Sequence, residues 1–375
     1  MSATLDQTND KNQPADGGLN MHARLLDATT TRFFNIFAMT FLVVMLAVHS
    51  AAGVPGFPNT GHWPYGRALT METWSFGGEV VGSYAYLADD VQGVTVIDIS
   101  APTAPTLAGR FAAASEAWHI AIDGTTAYVS RRTGGLQILD LSAAPAITGL
   151  GAITPPDFGT FYRSEIIDSG WLAIADDRDG LLVVDVSNPA AASIEATFPV
   201  DVWDVATDGH TAFTTSNSMH VEPTLFVLDL DTTVPIAPPV EIGALPLHDE
   251  SIDVSVLDGI ATVAMGNAGV AVLDILDPTD PQTIATIGLG NRDVSSAIRA
   301  GATIAYSSYP NGLGLVDLSN PAAPAELPDY EIPHPGYANE VVKIPGIRGV
   351  VIAAVHAGVR IVDLTDPMAP VEIGS

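Results

Sequence analysis

The chain has 375 residues, 47% of them hydrophobic, with 43 Asp and Glu against 14 Lys and Arg, a formal net charge of −29, and no cysteine. Such acidity repels nucleic-acid phosphates and anionic headgroups, so nucleic-acid binding is set aside as a function class. The absence of cysteine removes disulfides, thiolate metal sites, haem attachment and cysteine nucleophiles.

Residues 1–32 are polar, carry no helix or strand period and read as a disordered leader. Residues 33–52 follow with an apolar run from Phe33 to Val48 interrupted by Asn35 and Thr40. Arg24 and Arg32 precede the run and Ser50-Ala51-Ala52 follow it. This order of basic, apolar and small residues is that of a secretory signal, cleaved after Ala51 or Ala52, with Met21 as an alternative start. The run is shorter than the roughly 20 residues a bilayer span prefers, and an uncleaved anchor is the second reading. Either way the rest of the chain is expected outside the cytoplasm: periplasmic, cell-surface or extracellular. Residues 53–75, rich in Gly, Pro and aromatics, read as a linker.

From residue 76 onward one segment recurs. GVTVIDISAP begins at Gly93, GLQILDLSAAP at Gly135, GLLVVDVSNP at Gly180, GVAVLDILDP at Gly269, GLGLVDLSNP at Gly312 and GVRIVDLTDP at Gly358, with a degenerate copy, TLFVLDLD, at Thr224. The aspartates Asp98, Asp140, Asp185, Asp229, Asp274, Asp317 and Asp363 are spaced 42, 45, 44, 45, 43 and 46 residues apart. Aliphatic residues at every second position, many of them Val or Ile, make each segment a strand with one face buried. The Asp carboxylate accepts a backbone N–H two residues later and the Pro ends the ladder, so the aspartate reads as a turn-maker. A second strand lies about 13 residues before each Asp, as in Ala127-Tyr128-Val129-Ser130. A third precedes it, as in Trp118 to Ile122, and a fourth follows the proline turn, as in Val371-Glu372-Ile373. Four short strands per period describe a propeller blade, and residues 76–375 are expected to form an all-β, seven-bladed β-propeller of four-stranded blades. Whether the ring closes by packing alone or by a strand from the 63–75 region is left open.

The GL.I.D.S.P..P segments resemble the LVIVD repeat family, known mostly from bacterial surface and secreted proteins. The resemblance covers roughly residues 76–375 and implies a propeller without implying an activity.

In a propeller, the loop before the inner strand and the loop between the second and third strands emerge at the same end. Those loops hold much of the aromatic, histidine and arginine content. A ligand-binding funnel is therefore expected from Trp118, His119, Tyr162, Arg163, Asp204, His248, Asp249, Arg292 and Glu340. Within it, His248, Asp249 and Asp253 are the candidate metal ligands. Trp118 and Trp203 share a place in the repeat and read first as inter-blade core wedges. His119 aligns with Asp204 and Asp253 and is expected at the channel mouth. Asp176-Asp177-Arg178-Asp179 lacks the ligand spacing and terminal Glu of an EF-hand.

The chain has no G-x-S-x-G, H-E-x-x-H or phosphate-cradling glycine motif. The reading is an exported, non-enzymatic binding or interaction scaffold that requires no cofactor, with calcium or another divalent cation as the ion its acidic loops would take. A cell-surface protein or a small polar ligand is the expected partner, membrane contact is confined to an uncleaved N-terminal segment, and the chain is expected to be a monomer. The rival is a divalent-cation-dependent hydrolase or lyase drawing on His119, Asp204, His248, Asp253 and Glu340; a purely structural envelope component is the third class.

Overall fold

Glycine at the start and aspartate at the end bracket the third strand of every blade but the fourth, where Thr224 stands in place of the glycine. The computed structural model describes residues 76–375 apart from 114, 155–158, 217–221, 233–236, 248, 291, 310–311, 333–336, 346–348 and 356–357. The leader, signal and linker readings (1–32, 33–52 and 53–75) lie outside the described residues. Among the described residues no helix is long and apolar enough to cross a membrane.

Blade 1 is β1 (Gly77–Val81), β2 (Tyr84–Ala88), β3 (Val94–Asp98) and β4 (Thr106–Phe111). Blade 2 is β5 (Ala117–Asp123), β6 (Thr126–Arg131), β7 (Gly135–Asp140) and β8 (Thr148–Ile153), and blade 3 is β9 (Phe161–Asp168), β10 (Trp171–Asp176), β11 (Gly180–Asp185) and β12 (Ser193–Phe198). Blade 4 is β13 (Asp204–Asp208), β14 (Thr211–Ser216), β15 (Thr224–Asp229) and β16 (Val240–Pro246), and blade 5 is β17 (Asp253–Leu257), β18 (Ile260–Ala264), β19 (Val270–Asp274) and β20 (Gln282–Ile287). The last two sets are β21 (Asp293–Ala300), β22 (Thr303–Tyr309), β23 (Gly312–Asp317) and β24 (Ala325–Glu331), then β25 (Tyr337–Ile344), β26 (Gly349–Val355), β27 (Gly358–Asp363) and β28 (Val371–Gly374). Among the described residues these strands form seven four-stranded sheets, each antiparallel and each in chain order. The inner strands β1, β5, β9, β13, β17, β21 and β25 neighbour one another in a closed circuit, β25 returning to β1. That circuit is the ring of a β-propeller.

The repeat strands are buried more completely than their alternation implies. In β11, Gly180 to Val184 are all buried, because both faces of a blade pack against neighbouring blades. The outer strands are exposed, as in β4 and β8. The core therefore lies between blades. Val80, Leu87 and Ile97 of blade 1 pack with Val342, Val359 and Ile361 of the last blade, and Leu181 and Val183 of blade 3 pack with Val202, Val205 and Leu228 at blade 4. Each fully buried aliphatic side chain contributes about 1.5–3 kcal/mol before entropy is counted.

The turn aspartates act locally. Asp98, Asp140, Asp185, Asp317 and Asp363 each accept the backbone N–H two residues on at 2.8 Å, and Asp274 does so at 3.0 Å. The repeat prolines have a second role beyond ending strands. A side chain at Gly109, Gly151 or Gly243 would press on the carbonyl oxygen of Pro145, Pro189 or Pro278 in the next blade, and one at Gly374 would overlap that of Pro102. The last blade thus meets blade 1 as other blades meet their neighbours, and all four strands of each sheet are consecutive in sequence. Packing closes the ring among the described residues.

Candidate functional site

Each inner strand has one edge paired with its own blade and one edge facing the ring axis, where its N–H groups lack a strand partner. The side chains at one register level take up that role. Gly77, His119, Asp204, Asp253, Ser296 and Glu340 pair with Ala88, Ser130, Thr215, Ala264, Ser307 and Ala353 of the second strands. In β9 a register shift between Ile174 and Asp176 leaves Arg163 at this level and Tyr162 just before it. The acceptors then reach across to the next blade. Asp204 Oδ2 accepts from Val254 N at 2.6 Å, Asp253 Oδ2 from Ala297 N at 2.8 Å, and His119 Nδ1 from Ser164 N at 3.4 Å.

Arg163 is the cation of this layer. Its Nε lies 3.1 Å from Glu165 Oε1 and 3.3 Å from Asp204 Oδ1, and its Nη1 donates to Asp253 Oδ1 at 2.5 Å. A side chain from blade 3 that reaches past blade 4 to blade 5 places its guanidinium toward the axis. Five carboxylates, those of Glu79, Glu165, Asp204, Asp253 and Glu340, act electrostatically within this one cluster. Charge and burial then set the protonation. Burial pushes Glu340 up to about 8, with Asp253 adding to it, and burial with help from Glu165 pushes Glu79 up to about 7. Burial also raises Asp204 well above the ordinary carboxylate value although Arg163 opposes it. Burial pulls the guanidinium of Arg163 down, yet Asp204 and Asp253 outweigh that and hold it well above its usual value. Burial, then Arg163, holds His119 neutral, and its Nδ1 acceptor role puts the proton on Nε2.

One residue before this level the side chains form a different structure. Phe76 stacks on Trp118 with ring centroids 5.0 Å apart, Trp118 lies 5.3 Å from Tyr162, and Tyr162 stacks on Trp203 at 5.2 Å. These four half-buried rings come from four consecutive blades and trace an arc at the loop-rich end. In blades 2 and 3 register shifts displace Trp118 and Tyr162 from the alternation, and in blades 1 and 4 the ring-bearing residue lies just before the strand, with Phe76 N donating to Ala88 O and Trp203 N to Thr215 O. The guanidinium of Arg132 sits 5.3 Å over the Trp118 ring and pairs with Glu116 at 3.3 Å. In the remaining blades the same position holds Ile252, Ser295 and Asn339, and the arc ends.

The expected funnel therefore separates into two layers and some outliers. Tyr162 and Trp118 belong to the arc; His119, Arg163, Asp204 and Glu340 belong to the buried layer beneath it. Reading Trp118 and Trp203 as core wedges is corrected, because both are half-buried and stack on the rings of neighbouring blades in the arc. Arg292 leaves the funnel: it donates to Tyr306 Oη at 2.6 Å and pairs with Asp329 at 3.0 Å, within its own blade. Asp249 is exposed on a loop and accepts from Glu250 N, and His248 lies outside the described residues. The proposed metal set of His248, Asp249 and Asp253 is not brought together by the described residues, since Asp253 is engaged by Arg163 and Ala297 N. Asp176, from the loop considered for calcium, accepts from Arg178 N and Asp179 N through Oδ1 and shapes its own turn. Sequence reasoning missed Phe76, Glu79 and Glu165. Phe76 stands in the same place before the turn aspartate of blade 1 as Trp118 does in blade 2, a spacing that would have found it.

The LVIVD repeat model matches residues 79–113, 114–149, 167–198, 250–286 and 305–331. The chain is an LVIVD-repeat protein. The model recognises five of the repeats, and the stretches it passes over include the degenerate copy at Thr224 and the last copy at Gly358. No curated protein sequence matches this LVIVD-repeat chain. Among solved structures, it is similar to the β-propeller domain of Cps50 (Swd1) from Myceliophteria thermophila, with a TM-score of 0.62 and 12% identity over 82% of this chain and 98% of that one. Sqt1 of Saccharomyces cerevisiae has a TM-score of 0.59 and 8% identity over 80% and 86% of the two chains. BamB of Moraxella catarrhalis has a TM-score of 0.55 and 12% identity over 79% and 84%. At such identities the likeness concerns the fold alone.

Proposed function

We propose that this LVIVD-repeat propeller is an exported, non-enzymatic binding scaffold of the cell surface or envelope that engages its partner at the loop-rich end. The observation that carries this reading is the arc of Phe76, Trp118, Tyr162 and Trp203. Partly exposed aromatic rings gathered at one end supply large contact area at low entropic cost. The groups a hydrolase would recruit are already engaged. His119 accepts a backbone N–H, and Asp204 and Asp253 each hold a backbone N–H and Arg163. A general base must lie within hydrogen-bond reach of its substrate, and these buried side chains lie in the layer below the arc. Export rests on the basic, apolar and small residues around Phe33 to Ala52.

A photo-crosslinking amino acid at Thr133, exposed near the arc, should trap a defined adduct in intact cells, and one at Met368, 60% exposed on a proline turn at the opposite end, should not. Equal trapping at both positions, or none at Thr133, overturns the binding end. Fractionation with N-terminal sequencing should find a mature chain beginning near Gly53 outside the cytoplasm. Recovery of the uncleaved chain from the cytoplasm overturns export.

A further inference from the structure

One place in the repeat changes the sign of its charge from blade to blade. Four residues before the glycine that opens the third strand, blade 1 has Asp89, blade 3 has Asp176 and blade 2 has Arg131. The two aspartates accept locally: Asp89 from Thr95 Oγ1 at 2.6 Å, and Asp176 from the N–H groups of Arg178 and Asp179. A guanidinium has no acceptor to offer, so Arg131 cannot do that work. It donates through Nη2 to Gly134 O in its own turn, while its Nε is buried without a hydrogen-bond partner. Arg131 is only 5% exposed, and among the described residues no carboxylate pairs with it; burial alone acts on the guanidinium and pulls it below its usual value. A buried charge without a counter-charge is costly and calls for one.

A second unpartnered group meets it. Ser115 Oγ is also buried without a partner, and Gly134 is where the two converge. A Cβ there would lie 2.0 Å from Ser115 Oγ, 3.1 Å from Arg131 Cζ and 3.2 Å from Arg131 Nε. Ser115 lines a cavity of about 270 Å³ together with Val91, Ala113, Glu116 and Thr133. Strand pairing sets its position: Arg131 pairs with Ala117, and Ala117 bridges to Asp90 of blade 1, so the cavity sits where the loop-rich ends of blades 1 and 2 meet. Glu116, the carboxylate of that lining, is taken by Arg132 at 3.3 Å.

We infer that this cavity takes the carboxylate of a small organic acid, with Arg131 and Ser115 as its donors and Val91 and Ala113 against its apolar body. This rests on the binding reading above, since Ser115 and Thr133 belong to the same end of the ring, and it names the ligand's chemistry. On entry of the acid, Arg131 Nη2 exchanges the neutral Gly134 carbonyl for a charged acceptor, which makes the stronger bond. One guanidinium, with Glu116 in the lining and Asp90 beside Val91, matches a single negative charge and disfavours a dianion. The volume is that of a small ligand site and suits few heavy atoms. Two sources present such a group: a free organic acid, and the terminal carboxylate of a partner chain.

The test is calorimetric titration of the purified full chain with benzoate, with benzamide as its neutral counterpart, and with a tripeptide carrying either a free or an amidated C-terminus. A carboxylate that saturates where its amide does not, weakened about tenfold by Arg131→Gln and unchanged by Arg110→Gln at an exposed position of β4, supports the inference. Benzoate alone saturating assigns a free acid, and the free-terminus peptide alone assigns a chain terminus. Ser115→Ala, which removes a hydroxyl and no charge, should weaken the same site severalfold at an unchanged melting temperature. The ligand-free chain gives a second readout: Arg131→Gln removes a buried charge that has no counter-charge, so its melting temperature should hold or rise. A marked fall would mean that Arg131 is already satisfied within the fold and overturns the inference. Equal weakening by Arg131→Gln and Arg110→Gln reduces the effect to diffuse attraction and also overturns it, as does saturation by inorganic phosphate in place of the carboxylates. If crosslinking at Thr133 succeeds while benzoate and the peptide both fail, the ligand chemistry falls and the binding end stands.

Discussion

The turn end of the ring and its inner-strand layer use the same repeat in opposite ways. At the turns, aspartates do one job again and again: Asp98, Asp140, Asp185, Asp274, Asp317 and Asp363 each hold the N–H two residues on. At the inner level, the equivalent residues are Gly77, His119, Arg163, Asp204, Asp253, Ser296 and Glu340, and no two neighbours except Asp204 and Asp253 are alike. Local hydrogen bonds can be repeated without conflict because each closes within its own blade. Charges that meet near one axis cannot, since seven identical carboxylates there would repel one another and seven arginines would do the same. Variation in the inner layer is what lets the blades converge.

The strongest way to break the comparison is to remove the central cation. Arg163→Met should leave the buried Asp204 and Asp253, with the half-buried Glu165 beside them, without their counter-charge and cost about 3–5 kcal/mol in denaturant unfolding, far more than loss of any turn aspartate. A loss below that of a turn aspartate would show that the inner layer is held by its backbone hydrogen bonds alone. Next in size is the closing seam. Gly374→Ala drives a methyl group into the Pro102 carbonyl, and overpacking of this kind costs about 1–3 kcal/mol; unchanged melting would mean that the last blade is free of blade 1.

The inner layer should also respond to pH where the turns do not. Glu79 and Glu340, pushed up to about 7 and about 8, bind their protons more tightly folded than unfolded. Their contribution is full below the ordinary carboxylate range, shrinks as pH rises from there towards 7 to 8, and is gone above it. Denaturant midpoints should fall across that window, and Glu340→Gln should flatten the fall. A midpoint that rises there would place the deprotonated forms as the stable ones. The smallest effect sharpens the other side: Asp185→Ala should cost about 1 kcal/mol through the lost turn bond and leave crosslinking at Thr133 unchanged. Loss of crosslinking with unchanged melting would make that aspartate functional.

What could be read along the chain was what recurs along it. The strands, their order and the turn role of the aspartates follow from alternation, spacing and Asp-x-Ser chemistry, each spanning a few residues. The alignment of His119 with Asp204 and Asp253 was legible for the same reason, as a place in the period. Trp118 was misread as core because alternation puts it on the blade face, whereas a bulge turns it to the mouth. Arg292 was misread because its loop position says nothing about Tyr306 and Asp329, which draw it back into its own blade.

By itself the sequence determined that the chain from residue 76 is a ring-forming array of four-stranded units, since period and turn chemistry are local properties that each copy carries. Only the tertiary structure decided which side chains meet at the axis. The bond from Arg163 to Asp253 joins residues 90 positions apart, and the arc from Phe76 to Trp203 joins four blades. No local pattern encodes such meetings, because they depend on how closely the blades pack and on where each inner strand bulges.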